Sequence, residues 1–158
     1  MPMTKLFLIR HAHAGDRRAW TGPDEERPLS PKGWRQARAL VKRLDAEETG
    51  RIASSPSLRC TETVMPLAEA RGGAVEADDR LLEGRDPADA FAMLEHELRG
   101  AAIAACTHGD LVPAILELAA RSGASLPSEV RWAKGSVWVL EYDARGWGEA
   151  RYIPPSTD

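Results

Sequence analysis

The sequence predicts an α/β domain: a three-layer αβα sandwich around a mainly parallel sheet with an antiparallel edge. Three observations carry this expectation. Short apolar runs alternate with amphipathic segments at helical spacing, which implies right-handed βαβ crossovers. The runs "KLFLI" and "AAIAAC" are unbroken, as in strands covered on both faces. The last two runs have no helix between them and read as a hairpin, the form an antiparallel edge takes. At 158 residues the chain predicts a single domain, 1–158, with one sizeable core.

The elements follow in order. Residues 5–9 read as a buried strand. Residues 12–29 form a polar loop punctuated by Gly15, Gly22, Pro23 and Pro28, and loops longer than about 12 to 15 residues are often functional. Ser30 is an N-cap and Pro31 a first helical residue for a helix over 30–48, with Trp34, Ala37, Leu40, Val41 and Leu44 on one face. Residues 51–55 are a second strand. A helix over 56–73 closes at Gly72 and Gly73, with a kink or break expected at Pro66. A brief strand in "GGAVEADDRLLEG" leads to a helix opened by Pro87. "AAIAACTH" is an apolar strand, followed by a helix with Pro113 in its first turn. "SVWVLEYD" and "EARYIP" are strands joined across 143–148. Trp34, Trp132 and Trp138 are expected in the core, Trp20 as a loop packing anchor, and His96 at the surface.

Composition excludes several classes. A net charge of −3 argues against general affinity for nucleic acid, and "LFLI" is far too short for a signal peptide or a membrane span. Cys60 and Cys106 make no CxxC and no metal-ligand spacing. They read as small apolar residues in a reducing compartment, so a cytoplasmic protein is expected.

Chemistry gathers where strands end. Ligands of open α/β sheets bind outside the carboxyl ends of the strands. The first strand there delivers Arg10 and His11, "SSPSLR" delivers Arg59 in the first helical turn, and "AACTHGD" delivers His108 before a helix N-terminus. Two arginines, two histidines and helix N-termini around one spot fit a phosphoryl group. A neutral imidazole can attack phosphorus, a second cationic histidine can stabilise the equatorial oxygens, and a carboxylic acid can protonate the leaving oxygen. Glu83 is the candidate acid, with Asp86 and Asp89 behind it.

"LIRHAHAG", "SSPSLRCTET" and "CTHGD" together resemble the signature segments of the histidine phosphatase superfamily, which includes the phosphoglycerate mutases. The resemblance implies His11 as nucleophile, Arg10, Arg59 and His108 as phosphoryl-binding groups, and neither metal nor organic cofactor. "RLLEG" resembles the segment that carries an acidic residue in the mutase-like branch, which supports Glu83. Ala12, where the commonest family form has glycine, resembles the short SixA-like phosphohistidine phosphatases. The loop "HAGDRRAWTGPDEERPLSPKGWRQA" is similar to histidine-phosphatase domains attached to Nudix hydrolases in some actinobacteria. No Nudix segment is present, so a free-standing relative is expected. Arg17, Arg18 and Gly109 are placed with the substrate-binding residues; the two arginines read as solvated loop charges or as groups reaching over the pocket toward a second anionic group.

The expected activity is hydrolysis of a phosphomonoester or phosphohistidine, on a small molecule or a partner protein. Other readings stand beside it. A non-catalytic phosphate-binding module would have no need of His11. A mutase would need long insertions for which the chain has no room. His11 and His13 also have metal-ligand spacing, and with His108 they would make a zinc site. The barrels that use this spacing are larger than 158 residues, and His13 is expected in the loop or at the pocket rim. Arg27 reads as a solvated loop charge or a group that reaches over the pocket.

Overall fold

The structure is a computed structural model and describes residues 1–157. Strand β1 (Thr4–Arg10) lies inside it because successive side chains point to opposite faces and both faces are apolar. Leu6 and Leu8 face one core with Leu94, Leu98, Val112 and Ile115. Phe7 and Ile9 face the other with Leu40, Leu44, Val64 and Leu67. Helices α1 (Pro31–Arg43) and α2 (Leu58–Ala70) therefore cover one face, and α3 (Pro87–Leu98) and α4 (Leu111–Arg121) the other. All four β1 side chains named here are fully buried.

The remaining strands are β2 (Arg51–Ser54), β3 (Val75–Ala77), β4 (Ile103–Thr107), β5 (Val137–Asp143) and β6 (Gly146–Ile153), in the order β3-β2-β4-β1-β5-β6. The first four in that order run parallel. β5 is antiparallel to β1, and β6 to β5. From β1 the chain crosses toward β2, whereas from β4 it crosses toward β5. The carboxyl ends of the neighbours β1 and β4 thus form the topological switch point, where ligands of such sheets bind.

Local differences from the sequence expectation have local causes. α1 ends at Arg43 with Leu44 as its cap, short of the expected 48. Pro66 lies within α2 without ending it, since the helix is held against the core through Val64, Leu67 and Ala68. The hairpin turn is tighter than 143–148, because β6 already begins at Gly146. Trp138 is fully buried and Trp34 half-buried. Trp132 is 36% exposed rather than a core residue, because it sits in the irregular segment before β5. His96 is exposed as expected, and among the described residues no helix is long and apolar enough to cross a membrane.

Candidate active site

Pairing of Arg10 with Thr107 at the ends of β1 and β4 makes His11 and His108 the next residues on neighbouring parallel strands. Their rings meet edge to face with centroids 5.6 Å apart. The backbone at this point is fixed from three sides. His11 N–H donates to the Thr107 carbonyl (3.0 Å) and Ala12 N–H to Thr63 Oγ1 (2.9 Å). Gly135 N–H donates to the carbonyls of Arg10 and His11 (3.1 Å each).

The His11 ring has a defined tautomer. Nδ1 lies 2.8 Å from the Ala12 carbonyl, which can only accept, so Nδ1 carries the proton and Nε2 the lone pair. Burial pushes the imidazole down to about 3, and the charges of Arg59, His108 and Arg10 add to this against the opposing Ala12 hydrogen bond. His11 is a neutral base throughout the physiological range.

His108 is fully buried, with Nε2 2.8 Å from Ser55 Oγ and Nδ1 3.4 Å from Arg59 Nη2. A guanidinium only donates, so the Arg59 contact is a hydrogen bond when Nδ1 carries the lone pair, and Ser55 Oγ can then accept from Nε2–H. Cys60 Sγ packs 3.5 Å from the same Nε2.

Arg59 is 1% exposed, because α2 starts directly beneath the 12–29 loop. Its Nη1 donates to the Asp24 carbonyl (2.8 Å) and its Nη2 to Asp24 Oδ2 (3.0 Å). Arg10 Nη1 donates to the Trp132 carbonyl (2.8 Å). The Nε atoms of both arginines are buried without a partner among the described residues. Buried donors of this kind are almost always satisfied, and oxyanion acceptors suit them. Gly109 makes room for Arg10: a Cβ there would stand 2.6 Å from Arg10 Nη2 and 2.8 Å from its Cζ.

A cavity of about 320 Å³ opens here, with Arg10, His11, Arg17, Arg27 and Lys134 against Glu83 and Asp110 on its walls. Burial, and after it the charges of Arg10, Arg27, Arg17 and Arg59, hold the Lys134 ammonium below its usual range. Arg59 and His108 are not on that wall; they lie behind it. Glu83 Oε1 is 3.1 Å from Arg17 Nη2 and 4.0 Å from Arg59 Nη2. Its segment is tied over the end of β4, with Thr107 Oγ1 donating to the Leu81 carbonyl (2.6 Å) and Gly84 N–H to Asp110 Oδ2 (2.8 Å).

Other expected residues lie elsewhere. Asp86 caps α3, accepting from Ala88 N–H (2.9 Å), and Asp89 lines a separate depression with Arg51 and Arg80, so neither stands behind Glu83 in the cavity. Arg18 has a side chain 93% exposed, pairs with Asp16 (3.6 Å) and does not line the cavity. His13 turns its Nδ1 to Ser30 Oγ (2.6 Å) at the start of α1, away from the His11–His108 pair. Arg27 is not a solvated charge: it is 5% exposed and donates to the Ala14 carbonyl (2.6 Å) and to Asp24 Oδ1 (3.2 Å).

Lys134, Asp110, Asp24 and Ser55 were not singled out from the sequence. Lys134 had a signal. β5 runs antiparallel to β1 with Val137 opposite Ile9, so the residues just before β5 must lie at the edge where β1 ends.

The sequence profile of the histidine phosphatase superfamily (branch 1) matches residues 6–85, which include Arg10, His11, Arg59 and Glu83. The 8-oxo-(d)GTP phosphatase of Mycolicibacterium smegmatis is 30% identical over 154 residues, covering 95% of this chain and 48% of that protein. Phosphoserine phosphatase 1 of Hydrogenobacter thermophilus is 36% identical over 86 residues, 51% of this chain and 39% of that protein. The chain thus spans less than half the length of these two relatives. Among solved structures, a Nakamurella multipartitia protein named as a phosphohistidine phosphatase, SixA, superposes with a TM-score of 0.76 at 24% identity over 99% of both chains. A protein histidine phosphatase SixA complexed with tungstate gives 0.72 at 19% identity over 96% of both.

Proposed function

Because this chain belongs to the histidine phosphatase superfamily, we propose that it hydrolyses phosphate from a phosphomonoester or phosphohistidine through a covalent intermediate on His11. One observation carries this reading. A histidine whose Nδ1–H is committed to the Ala12 carbonyl, and which burial keeps neutral, lies on the wall of a cavity with four cationic side chains.

The chemistry proceeds in two displacements. The Nε2 lone pair forms a bond to phosphorus while the bond from phosphorus to the leaving oxygen breaks. The leaving oxygen takes a proton from Glu83, one of two carboxyl groups on the same wall. Water then attacks phosphorus, gives its proton to Glu83, and the P–N bond breaks to restore the lone pair. Arg10, on the cavity wall, donates to the phosphoryl oxygens, and Arg59 from behind the wall, with Arg17, Arg27 and Lys134, adds positive field. No step requires a metal ion.

The relatives' names divide the substrate class between small phosphorylated molecules and phosphohistidine proteins, and the open cavity admits both. Phosphate release from an aryl phosphate, nucleotides, sugar phosphates and a phosphohistidine protein tests the reading, with wild type and His11→Ala side by side and with and without EDTA. Activity lost in His11→Ala and indifferent to EDTA is expected. Phosphate binding without turnover would favour a binding module, and loss with EDTA a metal hydrolase.

A further inference from the structure

A second cavity, of about 230 Å³, adjoins the first and shares Gly15 and Arg27 with it. Its walls differ in kind: Ala14, Ala19, Trp20, Pro28 and Leu29 make it largely apolar. Trp20 is fixed in place there. Its indole Nε1–H donates to the Pro23 carbonyl (2.8 Å), and Gly22, outside the cavity, packs against the Nε1–Cε2–Cζ2 side of the ring closely enough that a Cβ would stand 3.2 Å from it. The ring nevertheless remains 38% exposed. A loop tryptophan that served only as a packing anchor would be covered; this one is held by a hydrogen bond and left open.

The two cavities meet at Gly15 and Arg27. Gly15 carries no side chain, and nothing lies within 4 Å of where its Cβ would stand. A ligand with its phosphoryl group beside His11 can therefore pass Gly15 and Arg27 and lay an apolar part against Trp20. Flat rings stack on indole, and stacking of this kind discriminates weakly among rings but strongly against their absence.

Resting on the phosphoryl-transfer reading above, we propose that the Trp20 cavity is the leaving-group subsite and that it takes the base of a nucleoside phosphate. The ring is set apart from phosphorus by the sugar, which spans Gly15 and Arg27. A phosphohistidine side chain fits less well, because its ring is bonded directly to phosphorus and would remain in the first cavity. The relative of Mycolicibacterium smegmatis that aligns over 95% of this chain is named for a nucleotide substrate, in agreement with this assignment.

Binding in the absence of turnover tests it. His11→Ala protein is titrated calorimetrically with a purine nucleoside monophosphate and with glycerol phosphate, a ringless ester of the same charge. The nucleotide is expected to bind about ten-fold tighter or more. Adding Trp20→Ala should remove most of that ratio, and adding Trp20→Phe, which keeps a ring, should retain most of it. Equal binding of the two probes, an undiminished ratio in Trp20→Ala, or equal loss in both Trp20 variants would overturn the subsite. Turnover in the protein with His11 intact is read separately. Nucleotide preference without hydrolysis would sink the hydrolytic reading and leave the subsite standing; hydrolysis without ring preference would do the reverse.

Discussion

Asp24 holds Arg59: Oδ2 accepts from Nη2 at 3.0 Å, and the Asp24 carbonyl accepts from Nη1 at 2.8 Å. The same carboxylate accepts from Arg27 Nε (3.2 Å) and lies 3.2 Å from Arg17 Nε. The loop that carries Asp24 thus occupies a guanidinium that the family resemblance assigns to phosphate. If Arg59 takes the proposed phosphate role, Asp24 and an incoming oxyanion would compete for it.

Asp24→Asn is therefore expected to lower stability by roughly 1–2 kcal/mol. This is less than the cost of about 3–5 for a buried pair, because the Asp24 carboxylate is one-third exposed. Inorganic phosphate should raise Tm more in this variant than in wild type, and a smaller rise would contradict the competition. The pH sense also follows. Burial alone would raise the Asp24 carboxyl, but Arg59, the Arg27 hydrogen bond and Arg17 outweigh it and hold it below its usual range. A depressed carboxyl stabilises the fold above its unfolded pKa of about 3.9 and loses that contribution as pH falls through the folded value. The Asp24 contribution should thus disappear only below about pH 4.

His11 has the opposite relation to protons. Its folded value of about 3 lies below an unfolded value of about 6.5, so between these the unfolded chain binds the extra proton. Stability contributed by neutral His11 is complete above about pH 6.5 and declines as pH falls toward 3. NMR titration of the His11 ring should show no protonation from pH 8 to pH 5, and Tm should fall less steeply across that acid range in His11→Ala. A ring that titrates near pH 6.5 would show that burial does not control it.

Gly109→Ala should separate fold from function. The new Cβ meets the far end of the Arg10 side chain rather than backbone, so the guanidinium moves and the fold survives. A stability loss of about 1 kcal/mol or less is expected, against a fall in kcat/KM of roughly 10- to 100-fold, the worth of charge-assisted hydrogen bonds to phosphate. Unchanged kcat/KM would mean that Arg10 does not need its present position.

Glu83→Gln tests the acid. With alkyl phosphates, whose leaving oxygen needs a proton, kcat should fall about 10²- to 10⁴-fold. With 4-nitrophenyl phosphate, whose leaving group departs unprotonated, it should fall much less. Equal losses on both substrates would transfer the role to another carboxyl, and Asp110 shares the wall.

What the sequence disclosed was whatever depends on pattern and strand order. The unbroken apolar run of β1, the crossover helices, the strand ends at Arg10, His11 and His108 and the helix start at Arg59 were legible because periodicity and parallel pairing fix them together. What it hid depends on where side chains turn. Nothing in "HAHAGDRRAW" distinguishes Arg17, on the cavity wall, from Arg18, one residue on and in solvent. Nor does it show that Asp24 reaches Arg59, a contact across 35 positions made by an irregular loop. Lys134 was accessible in principle, since an antiparallel β5 must begin where β1 ends. Trp132 was misplaced because hydrophobicity alone does not locate a residue in an irregular segment.

The covalent role of His11 is tested most directly by catching the intermediate. Enzyme in turnover would be quenched in alkali, where phosphohistidine survives, digested and examined by mass spectrometry. The account predicts one phosphoryl group on the peptide that contains His11, discharged by acid and absent in His11→Ala. A phosphoryl group on another residue, or full turnover in His11→Ala, would contradict it.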